Sequence, residues 1–104
     1  MEKIIKSLIK NPDAELLEQY LKDPEFKQEL INYQDKDQNN IFHLLFKSAT
    51  NDNVVQVEKV AKMLHQNGVS LLHLNLKQQT PYDVIEQSYL AVAVMEMQKE
   101  ELNL

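Results

Sequence analysis

Two stretches of the chain carry the same order of residue types. Ile31 to Leu45 runs from a polar, turn-forming segment, Asp35-Lys36-Asp37-Gln38-Asn39-Asn40, straight into an apolar one, Ile41-Phe42-His43-Leu44-Leu45. Leu71 to Ile85 repeats this more weakly, with Asn75 and Gln78 in its polar part and Thr80-Pro81-Tyr82-Asp83-Val84-Ile85 after it. Aligned on the helix-starting residues Asn40 and Thr80, the copies lie 40 positions apart. A unit recurring at such a spacing constrains the fold strongly, because one supersecondary piece cannot bury its apolar face until a neighbour stacks on it.

The chain is 104 residues long, which is room for one small domain. Leu, Lys, Glu, Gln and Ala are plentiful and strand-type alternation is scarce, so the expected class is all-α. A net charge of −5 argues against nucleic acid as the main ligand, since phosphate binding needs clustered Lys and Arg. Cysteine is absent, which removes disulfides and thiolate chemistry. No apolar run approaches the length of a membrane span and the amino terminus lacks a signal-peptide core. The expectation is a cytoplasmic protein without a membrane partner.

Helical spacing puts Ile4, Ile5, Leu8 and Ile9 on one face of Glu2 to Lys10, with Lys3, Lys6 and Lys10 opposite as a solvated face. Asn11-Pro12-Asp13 ends that helix and opens a second, reaching about Lys22 and carrying Leu16, Leu17, Tyr20 and Leu21. The pair reads as an antiparallel hairpin. Asp23-Pro24-Glu25 interrupts, and Phe26, Leu30 and Ile31 suggest a further helical turn or two. Asn40 is expected to cap a helix holding Phe42, Leu44, Leu45 and Phe46. A longer helix starts near Asn53, with Val54, Val57, Val60, Ala61 and Leu64 on one face, and Asn67-Gly68 closes it. Thr80-Pro81 starts a short helix with Val84 and Ile85. After a break near Gln87-Ser88, the last helix holds Tyr89 to Met97 and fades into a tail.

In these residues the chain resembles the ankyrin repeat family. That family's unit is a hairpin tip ending in Asp-x-x-Gly-x-Thr-Pro-Leu-His-x-Ala, followed by an inner and an outer helix. The first copy matches at Asn32, Asp35, Phe42-His43-Leu44, Val60-Ala61 and Gly68, and the second at Gly68, Leu71, Asn75 and Thr80-Pro81. The departures are Gln38 and Gln78 where the family has Gly, and Asn40-Ile41 for Thr-Pro. The spacing exceeds the family's unit of about 33 residues by about seven, which is about two helical turns. Because Val54 and Val57 extend the apolar face backwards, the surplus is expected to lengthen the outer helix of the middle repeat.

The resemblance implies an all-α, ankyrin-like helical solenoid of helix pairs joined by hairpin loops. Residues 1–34 would form an amino-terminal capping repeat, 35–70 the middle repeat and 71–98 a carboxyl-terminal capping repeat, with 99–104 as a tail. It also implies a non-catalytic protein–protein interaction module that uses hairpin tips and the inner-helix face, with no cofactor. By the family's pattern the contacts would include Lys36, Asp37, Asn39, Lys47, Leu76, Lys77 and Gln79. Leu74 joins them as an apolar residue at an exposed tip. His43 would bond to neighbouring hairpin backbone.

Nothing in the sequence points to catalysis. His43, His65 and His73 lack i, i+4 spacing and have no cysteine beside them, so a zinc site is not expected; His65 suits a helix end and His73 an exposed connection. Asp35 suits a turn, and a chain with one Gly has no phosphate-cradling loop. Ser48, Ser70 and Ser88 have no base beside them. Tyr89-Leu-Ala-Val-Ala-Val-Met is apolar all round, which leaves self-association, a homodimer through the last helix, as one alternative. The ending Lys-Glu-Glu-Leu-Asn-Leu resembles signals of bacterial type IV secretion effectors, which gives a second: an effector that binds a host protein.

Overall fold

The computed structural model describes residues 2–103, leaving Met1 and Leu104 outside it. Six α-helices follow in order: α1 Glu2–Lys10, α2 Ala14–Tyr20, α3 Pro24–Ile31, α4 Ile41–Lys47, α5 Val54–Gln66 and α6 Ser88–Leu102. A 3-10 turn, Pro81–Val84, precedes α6. No strand occurs among the described residues, so the chain is all-helical as its composition predicts.

Short polar side chains start the helices where the sequence places them. Asp13 Oδ1 accepts the Leu16 N–H at 3.1 Å and opens α2. Asp23 Oδ1 accepts from Glu25 and Phe26 at 3.0 and 3.4 Å, with Pro24 in the first turn of α3. Asn40 Oδ1 takes the N–H groups of Phe42 and His43 at 3.1 and 3.3 Å. Each such cap satisfies backbone donors that a helix start leaves without partners, and is worth about 1 kcal/mol.

Apolar faces then settle the packing. One side of α4 lies on α1 and the other on the 3-10 turn, whereas α5 lies between α2 and α6. Contacts of α4 with α5, and of the 3-10 turn with α6, join these two rows. Phe42, Leu45 and Phe46 of α4 are buried, as are Val57, Val60, Ala61 and Leu64 of α5, and the two phenylalanine rings stack 5.3 Å apart. The helix α5 begins at Val54, so Val54 and Val57 are helical, as the apolar face that they extend predicts. The Cα radius of gyration is 12.6 Å, close to the roughly 13 Å of an ordinary globule of about 100 residues.

Three boundaries differ from the sequence reading. Helix α2 stops at Tyr20, short of Lys22. Pro81–Val84 closes as a 3-10 turn instead of a short α-helix, and Ile85 is already extended (φ −79°, ψ 131°). The expected tail at 99–104 is helical through Leu102, and Leu104 lies outside the described residues. Glu101 accounts for that extension. Its carboxylate accepts the Ser70 hydroxyl at 2.7 Å, the Leu71 N–H at 2.9 Å and His65 Nε2 at 3.2 Å. These partners lie 30–36 residues away in sequence, so no local pattern announces them.

The face of α6 is also divided. Leu90, Val94 and Met97 are buried, whereas Tyr89, Val92 and Met95 are exposed. The Tyr89 hydroxyl donates to Glu58 at 2.6 Å, and this bond with the His65–Glu101 contact sets α5 and α6 running in the same direction.

Removing the Glu101 carboxylate strands the Leu71 N–H and frees the end of α6. Glu101→Ala is expected to lower stability by about 1–3 kcal/mol. Urea denaturation measures the loss, and hydrogen exchange should accelerate at Lys99 to Leu102 and at Leu71. Unchanged exchange there would mean that Glu101 does not hold the two segments together.

Candidate functional site

The two polar segments fold into the same loop twice. In the first, the Asp35 N–H donates to Asn39 O at 3.1 Å and the Gln38 N–H to Asp35 O at 3.0 Å, while Asp35 Oδ1 accepts from Asp37 and Asn39, each at 2.9 Å. In the second, the Asn75 N–H donates to Gln79 O at 3.1 Å and the Gln78 N–H to Asn75 O at 2.9 Å, while Asn75 Oδ1 accepts from Lys77 at 2.9 Å and Gln79 at 3.0 Å. Every partner in the second set is its counterpart in the first, 40 positions on. An Asp or Asn at the head of each loop does this work because its side-chain oxygen folds back onto its own backbone.

Gln38 and Gln78, standing where a glycine is expected, both have φ of +61°. The left-handed conformation costs a residue with a Cβ about 1–2 kcal/mol. Both loops therefore carry the same local strain.

Side chains stitch the two loops together. His43 is buried; its Nδ1 accepts the Asn40 N–H at 3.1 Å and its Nε2–H donates to Gln79 O at 2.8 Å. The carbonyl can only accept, so the proton sits on Nε2 and the ring is neutral. His73 is half-buried, not simply exposed, because its Nε2–H donates to Gln38 O at 2.9 Å. Each histidine thus holds the tip of the other loop. The Leu76 N–H donates to Asp37 O at 3.0 Å, and Asn75 Nδ2 donates to Asn39 Oδ1 at 2.8 Å. Asn40 Nδ2 reaches Ser70 O at 2.9 Å.

Below the tips, a groove of about 580 Å³ opens between α4 and the 3-10 turn. Of the eight candidate contact residues, Asp37, Asn39, Lys47, Leu76, Lys77 and Gln79 line it, while Lys36 and Leu74 do not. Leu74 and Leu76 are 47% and 57% exposed, so apolar side chains do project at the second tip. The amide of Asn39 is engaged at both ends, donating to Asp35 Oδ2 at 3.1 Å and accepting from Asn75, so it builds the loop. Sequence reasoning missed the apolar floor of Leu44, Val84 and Ile85, and the acidic Asp83 and Glu86. One signal was there: Leu44 and Val84 are 40 positions apart, like every other matched pair. No group of three or more His, Cys, Asp or Glu suited to a metal occurs among the described residues.

Burial pushes the pKa of His43 below the usual imidazole range. The Gln79 carbonyl opposes this, His73 adds to it, and Asp35 and Asp83 oppose it. The unfolded chain therefore takes up this proton at a higher pH than the folded one, so stability rises with pH across that interval. The contribution is complete above about pH 6.5 and is lost as pH falls toward the folded value. A urea series from pH 7.5 to 5 should show this loss, with the His43 ring resonances titrating below the ordinary value. A flat stability profile would contradict it.

The strained loops give a second expectation. Gln38→Gly and Gln78→Gly each relieve about 1–2 kcal/mol and give back about 0.5–1 kcal/mol through glycine's greater freedom in the unfolded chain. Each variant should gain up to about 1.5 kcal/mol in stability, read as a raised urea midpoint at unchanged slope.

No protein-family model, no curated protein and no solved structure matches the chain.

Proposed function

We propose that the chain is an ankyrin-like, non-catalytic protein-binding module that presents the second hairpin tip and the groove beside α4 to a protein partner. The observation that carries the reading is the pair of loops with matching hydrogen bonds 40 positions apart, both left-handed at the third residue after the Asp or Asn. The two rows, α1–α4–3-10 turn and α2–α5–α6, have the order expected for inner and outer helices of three stacked units. In this reading α3 is an addition between the first unit and the first tip. Six of the candidate contacts share one groove, and the loops around it are held by their own hydrogen bonds. A surface ordered in this way loses little conformational freedom on association.

A second reading, self-association, is favoured by the exposure of Tyr89, Val92 and Met95 on α6. Light scattering at two concentrations separates the two, since a monomeric binder keeps one mass. For the first reading, Leu74→Asp with Leu76→Asp is the test. The folded content should be unchanged by circular dichroism, and proteins captured from a lysate by the parent chain should be lost. Retention of the whole captured set by a folded double variant would remove the second tip from the binding surface.

A further inference from the structure

Resting on the protein-binding reading, we infer that the groove beside α4 takes a cationic segment of a partner protein, in which an apolar side chain stands next to Lys or Arg. The lining supplies the apolar half of this. Leu44, Leu76, Val84 and Ile85 face the groove and suit an apolar side chain of the occupant.

Charge supplies the other half. Asp35, Asp37, Asp83 and Glu86 line the groove against Lys47 and Lys77, four carboxylates to two ammonium groups and a net charge of −2. Asp35 accepts the N–H groups of Asp37 and Asn39, and Asp83 that of Thr80, but these donors are neutral and leave both charges in place. His43 adds no positive charge, because its ring is neutral. The ion pairs among the described residues lie on α5 and α6, at Lys62–Glu58, His65–Glu101 and Lys99–Glu96, so none cancels the surplus. The chain as a whole carries −5, which reinforces it. An anionic segment is therefore opposed and a cationic one attracted as it approaches. Asp83 and Glu86 flank Val84 and Ile85 in the chain. A Lys or Arg side chain suits that order, since its methylene stem packs on apolar surface while its charged end stays with the exposed carboxylates.

A second copy of this chain is a poorer occupant. Its cationic face, Lys3, Lys6 and Lys10 of α1, is exposed, yet Ile5 and Leu8 of the same helix are buried in its own core. That face offers the charge without the apolar side chain.

A random heptapeptide library displayed on phage, selected on the immobilised full chain at physiological salt, tests the inference. Selected peptides should be enriched in an apolar residue beside Lys or Arg and depleted of Asp and Glu. The best, made synthetically and labelled, should bind about fivefold more weakly to Asp37→Asn with Glu86→Gln, and more tightly to Lys47→Gln with Lys77→Gln. Glu25→Gln with Glu29→Gln, which removes as much charge from α3, should leave binding unchanged. Thermal melts of these variants should match the parent, since every substituted side chain is exposed. On the parent chain itself, affinity should fall between about 0.15 M and about 1 M salt.

Peptides that Leu76→Asp abolishes, but that carry no cationic excess or bind independently of salt, would overturn this inference and leave the protein-binding reading standing. An equal loss in the α3 variant would also overturn it, since the field of the whole chain would then be acting in place of the groove. A molecular mass that grows with concentration in the parent, and not in Asp37→Asn with Glu86→Gln, would give the groove to a second copy and overturn it too. Selected peptides indifferent to every groove variant, or a library yielding none above background, would overturn both readings.

Discussion

The arrangement depends on one neutral imidazole. His43 accepts the Asn40 N–H through one nitrogen and donates to the Gln79 carbonyl through the other, so a single side chain finishes the cap of α4 and fixes the second loop. The bond between Asn40 and His43 is closed to water, because both residues are buried, whereas the Gln79 bond is part-buried. A buried polar group left unpaired costs about 1–3 kcal/mol, which exceeds what a typical satisfied bond contributes. The node therefore acts mainly by exclusion: any packing of the two units that separates His43 from Gln79 strands buried polar atoms. Asn75 works in the same way at the second loop, with its oxygen facing Lys77 and Gln79 and its nitrogen facing Asn39.

The contact between α5 and α6 has a different basis. Helices α5 and α6 are in contact and both bury apolar residues in the one core, Leu64 from the first and Leu90 and Val94 from the second, an attraction without direction of its own. Two polar contacts near the ends of α6 supply the register, Tyr89 to Glu58 and His65 to Glu101. Glu58 is held below the usual carboxylate range, first by the Tyr89 hydroxyl and then, against the opposing effect of burial, by Lys62. Glu101 does more than orient a helix. By accepting from Ser70 and Leu71 it anchors the chain at the point where it leaves α5 for the second loop. The start of α4 and the end of α6 are thus both tied to Ser70, since Asn40 Nδ2 reaches the carbonyl of the same residue.

Local chemistry was legible in the sequence, and long-range chemistry was not. Asn40 announced its helix because a cap acts within three residues, and Val54 and Val57 announced the start of α5 because helical periodicity is local; Asp23 read only as an interruption, although it too caps a helix. The loops were legible because Asp35 and Asn75 bond their own backbone. The end of α6 was not: Lys-Glu-Glu-Leu reads as a solvated tail unless Glu101 is known to face residues 30–36 positions earlier. The base of the groove was hidden for a related reason. Val84 and Ile85 were placed in a helix, and only the extended backbone at Ile85, after a 3-10 turn too short to continue, brings Glu86 to the groove. His73 looked like an exposed connector because its partner, the Gln38 carbonyl, belongs to the other loop.

A division of labour among the polar residues sets the shape of the tips. Asp35, Asn39 and Asn75 spend their side chains on the loops, so the tips hold their shape without a partner. Those same residues have little left to offer one. What they present instead is neighbouring: Asp37 and Lys77 between the bonded positions, and Leu76, whose N–H is tied to Asp37 O while its side chain stands 57% exposed. Backbone fixed and side chain free is the combination that an anchor needs, because exposing an apolar side chain on a mobile loop would add an ordering cost when it is buried. The left-handed residues Gln38 and Gln78 belong to the same logic. A strained conformation persists only where its surroundings over-determine it, and here the crossed histidines supply that constraint.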